Sequence, residues 1–202
     1  MPTILVLFAH PMLEKSRVQR ELIRTARTIA NVTVHDLYEE YPDFDVDVRR
    51  EQALLAQHDI IVLQHPFYWY SCPALMKQWI DLVLEHGWAY GRQGRALQGK
   101  KLTNVISLGG SQEAYKESGL NRHTVREFLI PFEQTASLCK MEYLPPYVVH
   151  GTHKATDQDI RHHAETYARL LQRLAEGTIS QDDLRASPYL NDILPTLTGG
   201  KG

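Results

Sequence analysis

The chain has 202 residues, a formal net charge of −2 and 43% hydrophobic residues, which fits one domain whose core needs no disulfide or structural metal. Lys and Arg nearly balance Asp and Glu, so no basic stripe offers itself to a phosphate backbone and nucleic acid is not an expected partner. Cys72 and Cys139 lie far apart and form no CxxC motif, which argues against a redox dithiol or a zinc ribbon and favours a reducing compartment.

The first predicted element is a strand at residues 3–9 (TILVLFA), whose unbroken apolar character is typical of a strand covered on both faces. This run is too short to span a bilayer, and it lacks the cationic leader and cleavage site of a signal peptide. We therefore expect a cytoplasmic protein. Peripheral attachment to the cytoplasmic face of the inner membrane stays open.

Helices and strands then alternate along the chain. Helical spacing of apolar residues predicts helices at residues 18–29, 52–56, 75–83 and 125–139. Short apolar runs predict further strands at residues 32–37, 60–63, 102–108 and 147–150. A last helix is predicted from a candidate N-cap at Thr156 to Gly177, which stands just past its end.

This alternation predicts an α/β fold in three layers, a parallel sheet with helices on both faces. We expect one domain at residues 1–177, and a polar tail at residues 178–202 that is surface-laid or disordered. Open parallel sheets bind ligands beyond the carboxyl ends of their strands, where the strand order reverses. The turns after the first, third and fourth strands are therefore the candidate site.

The turn after the first strand contains His10, and Ser16 and Arg17 open the following helix. Free backbone N–H groups, a serine hydroxyl and a guanidinium together suit a phosphate monoester. The turn has no glycine, so it is neither GxGxxG nor GxxxxGK. The alternative is structural: Ser16 serves only as an N-cap, and His10 only fixes the turn.

The turn after the third strand carries four consecutive aromatic residues, Phe67, Tyr68, Trp69 and Tyr70. Aromatic side chains at this density favour packing against something flat and apolar. One interpretation is a wall for an isoalloxazine ring, with amides of the loop bonded to the polar edge of the ring. The alternative is that these residues form a dimer contact or a small local hydrophobic cluster. This alternative is compatible with a flavin-binding role.

The turn after the fourth strand reads Ser107, Leu108, Gly109 and Gly110, with Tyr115 a few residues on. Two glycines let main-chain N–H groups approach a ligand without a Cβ in the way. Such donors would stabilise negative charge on a reduced flavin. An ordinary glycine turn is the alternative, but three signals at neighbouring strand ends together favour one flavin site.

The ten histidines do not predict a metal site. His162 and His163 are successive helix residues and face different directions, while His150 and His153 follow a strand with no carboxylate cluster nearby. We expect these histidines to be solvated or hydrogen-bonded, and we expect no metal.

Several segments resemble the NAD(P)H:quinone oxidoreductases of flavodoxin-like fold. They are HPMLEKS, YPDFDVD, QHPFYWYSCPALMKQWIDLVLEHGWAYG, LQGK and the glycine pair after the fourth strand. Within that family the chain is similar to the soluble ancillary subunits of bacterial glutathione-gated potassium efflux systems. The resemblance covers about residues 3–150, and more loosely reaches about 176. It implies a five-stranded parallel sheet of order 2-1-3-4-5, with FMN as the cofactor.

The resemblance also implies roles for single residues. The FMN ribityl-phosphate would meet His10, Ser16, Arg17, Val18 and Gln19. The isoalloxazine would be bordered by Phe67, Tyr68, Trp69 and Tyr70, and its pyrimidine edge would be held by Ser107, Leu108, Gly109 and Gly110. Tyr115 would help to polarise a quinone. Asn121 is the second catalytic candidate, because it stands where the family has the histidine that works beside this tyrosine. Gln19 stands where the family has an asparagine.

Two functions follow from the resemblance. In the first, NAD(P)H reduces bound FMN and a quinone then takes both electrons in the same space, which predicts ping-pong kinetics. In the second, the chain is a non-catalytic regulatory subunit that binds flavin and docks on a membrane potassium/proton antiporter. The departures from the family pattern at Gln19 and Asn121 favour this second function. The near-neutral charge disfavours a flavodoxin-type electron carrier. A homodimer is expected.

Overall fold

The computed structural model describes residues 1–193 and places six strands in one sheet. The strands are β1 Ile4–Phe8, β2 Val32–Asp36, β3 Ile60–Pro66, β4 Lys101–Ser107, β5 Glu142–Tyr143 and β6 Tyr147–Val149. All of their pairings are parallel, in the order β2-β1-β3-β4-β5, and β6 also pairs with β4. The predicted order 2-1-3-4-5 is confirmed. Its fifth position is shared by β5 and β6, because Pro145 and Pro146 between them have no N–H to donate.

Eight α-helices connect or follow these strands in residues 1–193. They are α1 Arg17–Ala26, α2 Leu37–Glu40, α3 Val48–Ala56, α4 Ala74–Val83, α5 Val125–Phe128, α6 Ile130–Leu138, α7 Asp157–Glu176 and α8 Gln181–Ala186. Across this part of the chain, none of the helices combines the length and the apolar character needed to cross a membrane.

The strand β1 shows how the three layers form. All five of its side chains are fully buried. Ile4, Val6 and Phe8 face the core shared with α1 and α7, whereas Leu5 and Leu7 face the core shared with α3, α4 and α6. Since both faces of the strand are covered, its sequence is apolar without alternation.

The ends of α7 agree with the sequence prediction. The Thr156 hydroxyl accepts a hydrogen bond from the Asp159 N–H, and the Asp159 carboxylate accepts one from the Thr156 N–H in return. Gly177 ends the helix at φ +67°, a left-handed conformation that glycine adopts without strain. Both boundaries are therefore fixed by local chemistry that the sequence shows.

Three predicted helices differ from the observed ones. The helix predicted at residues 18–29 ends earlier, at Ala26, because the N–H groups of Thr28 and Ile29 bond to carbonyls three residues back instead of four. The helix predicted at residues 52–56 begins earlier, at Val48, because the Asp47 side chain accepts a hydrogen bond from the Arg50 N–H and caps it there. The single helix predicted at residues 125–139 is wrong: it is divided into α5 and α6 at Leu129. Pro131 lies in the first turn of α6 and has no N–H with which to continue α5.

Residues 178–193 of the predicted tail pack on the domain. Leu184, Leu190 and Ile193 are buried in the same core as α1 and α7. The Asn191 side chain accepts a hydrogen bond from the Val148 N–H at 2.8 Å and donates one to the Val148 carbonyl at 2.9 Å. This segment thus covers the outer edge of β6, while residues 194–202 lie outside the described residues.

Candidate functional site

A cavity of about 510 Å³ opens at the carboxyl ends of β1, β3 and β4 and beside the loop that follows β6. The strand register brings these ends together, because Phe8 pairs with Gln64 and Pro66 pairs with Ser107. The volume is in the range of small-molecule sites. The three turns that the sequence indicates therefore line one cavity.

One end of the cavity is the N-terminus of α1. The Ser16 Oγ accepts a hydrogen bond from the Gln19 N–H at 3.2 Å and so caps the helix. Arg17 and Val18 line the cavity just inside the cap, where helix geometry leaves N–H groups without partners in the helix. Lys15, an exposed residue, also lines this end of the cavity. This end attracts anions.

The Arg17 guanidinium is held in place by α7 and the residues before it. It donates to the Asp157 carboxylate at 2.5 Å and to the Ala155 carbonyl at 3.0 Å. No acidic residue occurs among the described residues that line the cavity. Asp157, which pairs with Arg17, lies outside this lining, so no carboxylate of the described residues lines the cavity beside Lys15.

His10 lines the cavity in a defined protonation state. Its Nδ1 accepts a hydrogen bond from the Met12 N–H at 3.1 Å, which leaves the proton on Nε2. Burial lowers the pKa of His10, so the neutral imidazole dominates at neutral pH. His10 therefore fixes the turn and also offers an N–H donor beside the cavity.

The aromatic loop divides into two pairs. Phe67, which is 9% exposed, and Tyr68, which is 41% exposed, line the cavity. Trp69 is 93% exposed, and the ring of Tyr70 stacks on Phe128 at 4.9 Å; neither belongs to the cavity lining. Half of the predicted aromatic wall thus faces the cavity, and half faces solvent or a neighbouring aromatic cluster.

The glycine turn supplies the opposite edge. Ser107, Leu108 and Gly109 line the cavity. A Cβ on Gly109 would lie 2.4 Å from the Nε2 of His153, so only glycine lets this imidazole pack against the main chain. Gly110 is not part of the lining, and a Cβ there would lie 2.8 Å from the Tyr115 ring.

Tyr115 adjoins the cavity wall without lining the cavity. Its ring centroid lies 6.0 Å from that of Phe67 and 6.0 Å from that of His150. Burial raises the pKa of Tyr115, so its hydroxyl stays protonated. Asn121 accepts a hydrogen bond from the Tyr70 hydroxyl at 3.3 Å and is likewise outside the lining.

Gln19 lies behind the cavity rather than on its surface. The side chain is fully buried and donates to the His65 carbonyl at 3.0 Å and to the Ser107 Oγ at 2.9 Å. The expected contact with a phosphate is therefore not available to its amide. Its place is in the wall, where it joins α1 to the ends of β3 and β4.

The wall also contains a buried histidine. His65 Nδ1 donates to the Pro66 carbonyl at 3.0 Å, so its Nε2 accepts from the Asn104 amide at 3.1 Å. Burial lowers the pKa of His65 to about 4, and the ring is neutral at neutral pH. His65 therefore fixes the ends of β3 and β4 and brings no charge to the cavity.

Residues 2–173 match the model of the family described as flavodoxin-like fold. The chain belongs to this family. The glutathione-regulated potassium-efflux system ancillary protein KefG of Enterobacter sp. (strain 638) is 45% identical over 168 residues, which are 83% of this chain and 92% of that protein.

Two solved structures of flavodoxin-like relatives are also similar. General stress protein 14 of Treponema denticola, crystallised in complex with FMN, is 41% identical with a TM-score of 0.82, over 86% of this chain and 99% of that one. The NADPH-quinone reductase of P. pentosaceus is 36% identical with a TM-score of 0.75, over 86% of this chain and 97% of that one.

Five lining residues of this flavodoxin-like domain were not predicted from the sequence: Met12, Lys15, Pro66, Thr152 and His153. Lys15 lies within the HPMLEKS segment, beside the predicted anion site. Thr152 and His153 follow the predicted fifth strand, whose carboxyl end lies at the same edge of a parallel sheet. Applying the strand-end rule to that strand as well would have found them.

Proposed function

We propose that this protein is an FMN-dependent NAD(P)H:quinone oxidoreductase that reduces quinones by two electrons. The observation that carries the proposal is a single cavity that joins a cationic helix N-terminus, an aromatic pair and a glycine-containing main-chain edge. The relative crystallised with FMN and the relative named an NADPH-quinone reductase support it.

The residues present fit FMN at both ends of the molecule. Lys15, Arg17 and the first N–H groups of α1 would hold the phosphate. Phe67 and Tyr68 would pack against the isoalloxazine ring, and the main chain at Gly109 would approach its polar edge. The absence of a carboxylate among the described lining residues agrees with an anionic ligand.

FMN, when bound, supplies the two-electron redox chemistry, and the protein orients it and provides donors. The Nε2–H of His10 and the main-chain N–H of Gly109 would stabilise negative charge on the bound ligand. Tyr115, which keeps its proton, donates a hydrogen bond to a quinone oxygen from beside Phe67. NAD(P)H and the quinone use the same space in turn, which gives ping-pong kinetics.

An anaerobic spectral titration tests this function. The FMN-loaded protein is expected to lose its yellow absorbance with NADPH or NADH and to regain it when 1,4-benzoquinone is added. Protein that takes up no FMN, or bound FMN that neither nicotinamide reduces, would contradict the proposal.

A second candidate is a non-catalytic, flavin-binding regulatory subunit on a membrane potassium efflux protein, at the cytoplasmic face. The exposed Trp69 favours it: its side chain is 93% exposed, and its φ of +49° is uncommon for a bulky residue. The name of the KefG relative supports it as well. FMN-loaded protein that does not reduce quinone, yet binds the efflux protein less well after Trp69→Ala, would favour this role. A homodimer stays a prediction for either role.

A further inference from the structure

A buried chain of side-chain hydrogen bonds runs from α7 to the cavity wall. The Tyr167 hydroxyl donates to the Gln64 Oε1 at 2.9 Å, and the Gln64 Nε2 donates to the Gln19 Oε1 at 2.9 Å. The Gln19 Nε2 then donates to the Ser107 Oγ at 2.9 Å. Tyr167, Gln64 and Gln19 are all fully buried, so water does not compete for these bonds.

The direction of this chain is fixed by a backbone carbonyl. The His65 carbonyl can only accept a hydrogen bond, and it lies 3.0 Å from the Gln19 side chain, so the atom of Gln19 that faces it is Nε2. The Oε1 of Gln19 must then accept from the Gln64 Nε2, and the Gln64 Oε1 must accept from the Tyr167 hydroxyl. Reversing either amide would set two like atoms against each other.

The fixed direction of these hydrogen bonds determines where the hydroxyl proton of Ser107 can point. Its Oγ already receives a hydrogen from Gln19, so its own proton must point elsewhere. Within residues 1–193, none of the hydrogen bonds described has the Ser107 hydroxyl as its donor. Ser107 lines the cavity, which is the direction that remains for its proton.

We propose that Gln19 is a positioning residue that aims the hydroxyl proton of Ser107 into the cavity. The ligand atom that meets Ser107 is therefore a hydrogen-bond acceptor. This inference rests on the proposed flavin-binding function, since FMN carries acceptor atoms on its ring, ribityl chain and phosphate. It also gives Gln19 a role that does not require contact with the ligand.

The chain of hydrogen bonds is tested in the ligand-free protein, by NMR of the side-chain amides of Gln19 and Gln64. The amide signals of Gln19 and Gln64 are expected to exchange slowly with water, and Tyr167→Phe is expected to shift both. Tyr147→Phe is the matched control, because the Tyr147 ring stacks on Tyr167 at 5.8 Å while its hydroxyl bonds to His163 instead. Fast exchange of the Gln19 side-chain amide with water, or equal shifts of the amide signals in the two variants, would show that this chain of hydrogen bonds does not exist.

The role of Ser107 is tested by FMN affinity in a double-mutant cycle. Ser107→Ala is expected to weaken FMN binding about tenfold. Ser107→Thr, which keeps the hydroxyl, is expected to stay within about threefold of the wild type. In a Gln19→Met background the hydroxyl is no longer aimed, so Ser107→Ala is expected to cost less than about threefold.

Independent, multiplicative losses from Gln19→Met and Ser107→Ala would overturn the proposal, as would failure of Ser107→Thr to rescue binding. Gln64→Met removes the next link, and the same cycle is run with it if Gln19→Met does not fold. Wild-type protein that binds no FMN would instead contradict the proposed function. In that case the amide exchange of the ligand-free protein would still decide whether the chain of hydrogen bonds exists.

Discussion

Ser16 has two roles that a single substitution separates. It caps α1 by accepting the Gln19 N–H, and it lines the cavity at the end proposed to hold a phosphate. Aspartate caps a helix as well as serine does, but its charge repels a phosphate. The effect on stability and the effect on binding are thus expected to diverge.

Ser16→Asp is expected to change the free energy of unfolding by less than about 1 kcal/mol and to weaken FMN binding at least about tenfold. Ser16→Ala is the control, because it removes the cap and costs about 1 kcal/mol of stability with a smaller loss of affinity. Denaturant unfolding and FMN fluorescence titration measure the two quantities. Unchanged affinity in Ser16→Asp would place the phosphate elsewhere.

Tyr115→Phe keeps the ring that packs against Gly110 and Phe67 and removes only the hydroxyl. FMN content is expected to stay at the wild-type level, whereas quinone reduction is expected to slow about tenfold or more. Stopped-flow measurement of the two half-reactions separates them, because reduction by NADPH should be unaffected. Equal slowing of both half-reactions would argue against a role for Tyr115 toward the quinone.

At the scale of elements, a buried carboxylate ties β2, α3 and α4 together. Glu51 is fully buried and accepts hydrogen bonds from His35 at 2.9 Å, from Tyr41 at 2.5 Å and from Trp79 at 2.7 Å. Burial alone would raise the pKa of Glu51, but these three hydrogen bonds outweigh it and lower the pKa below its ordinary value of 4.5. The ionised form therefore stabilises the fold.

Glu51→Gln is expected to lower the free energy of unfolding by about 2–3 kcal/mol at pH 7, since one acceptor becomes a donor that faces other donors. The folded pKa lies below the unfolded one, so this stabilisation is present above pH 4.5 and is lost as the pH falls through the folded pKa. The difference in unfolding free energy between the variant and the wild type should therefore shrink as the pH falls below 4.5 and through the folded pKa.

Urea unfolding across this pH range measures the Glu51 effect. Glu40→Gln is the control, because Glu40 pairs with Arg50 on the surface and its loss should cost less than about 1 kcal/mol. A difference between Glu51→Gln and wild type that is independent of pH would contradict an ionised Glu51.

Asn191 attaches the segment after α8 to the edge of β6. Asn191→Ala leaves the N–H of the buried Val148 without its acceptor, so a loss of about 1–3 kcal/mol is expected. The exposed neighbour gives the control Asp192→Ala, for which less than about 0.5 kcal/mol is expected. Thermal unfolding of the two variants measures this difference in stability. Equal unfolding midpoints for Asn191→Ala and Asp192→Ala would show that the segment does not stabilise the sheet edge.

At the scale of the whole molecule, the sheet was predictable because its strands are buried on both faces. A run such as TILVLFA has few alternatives to a central parallel strand, and Thr156 and Gly177 mark the ends of α7 by local chemistry. The division of residues 125–138 into α5 and α6 was missed, because apolar spacing continues across Pro131 although the hydrogen-bond ladder does not.

The parts of the site that lie at strand ends were predictable from the sequence. The parts that depend on contacts between segments distant in the sequence were not. Ser16, Phe67 and Gly109 follow from the rule for parallel sheets. The placement of His153 against Gly109 and the burial of Gln19 against His65 depend on packing between distant segments. No spacing in the sequence reveals such contacts.

The proposed function depends most on one FMN being held where these turns meet, and equilibrium titration of the ligand-free protein with FMN tests this directly. It predicts saturable binding of one FMN per chain, with quenching of flavin fluorescence by the adjacent aromatic pair Phe67 and Tyr68. No saturable binding, or binding that Ser16→Asp and Ser107→Ala leave unchanged, would contradict it.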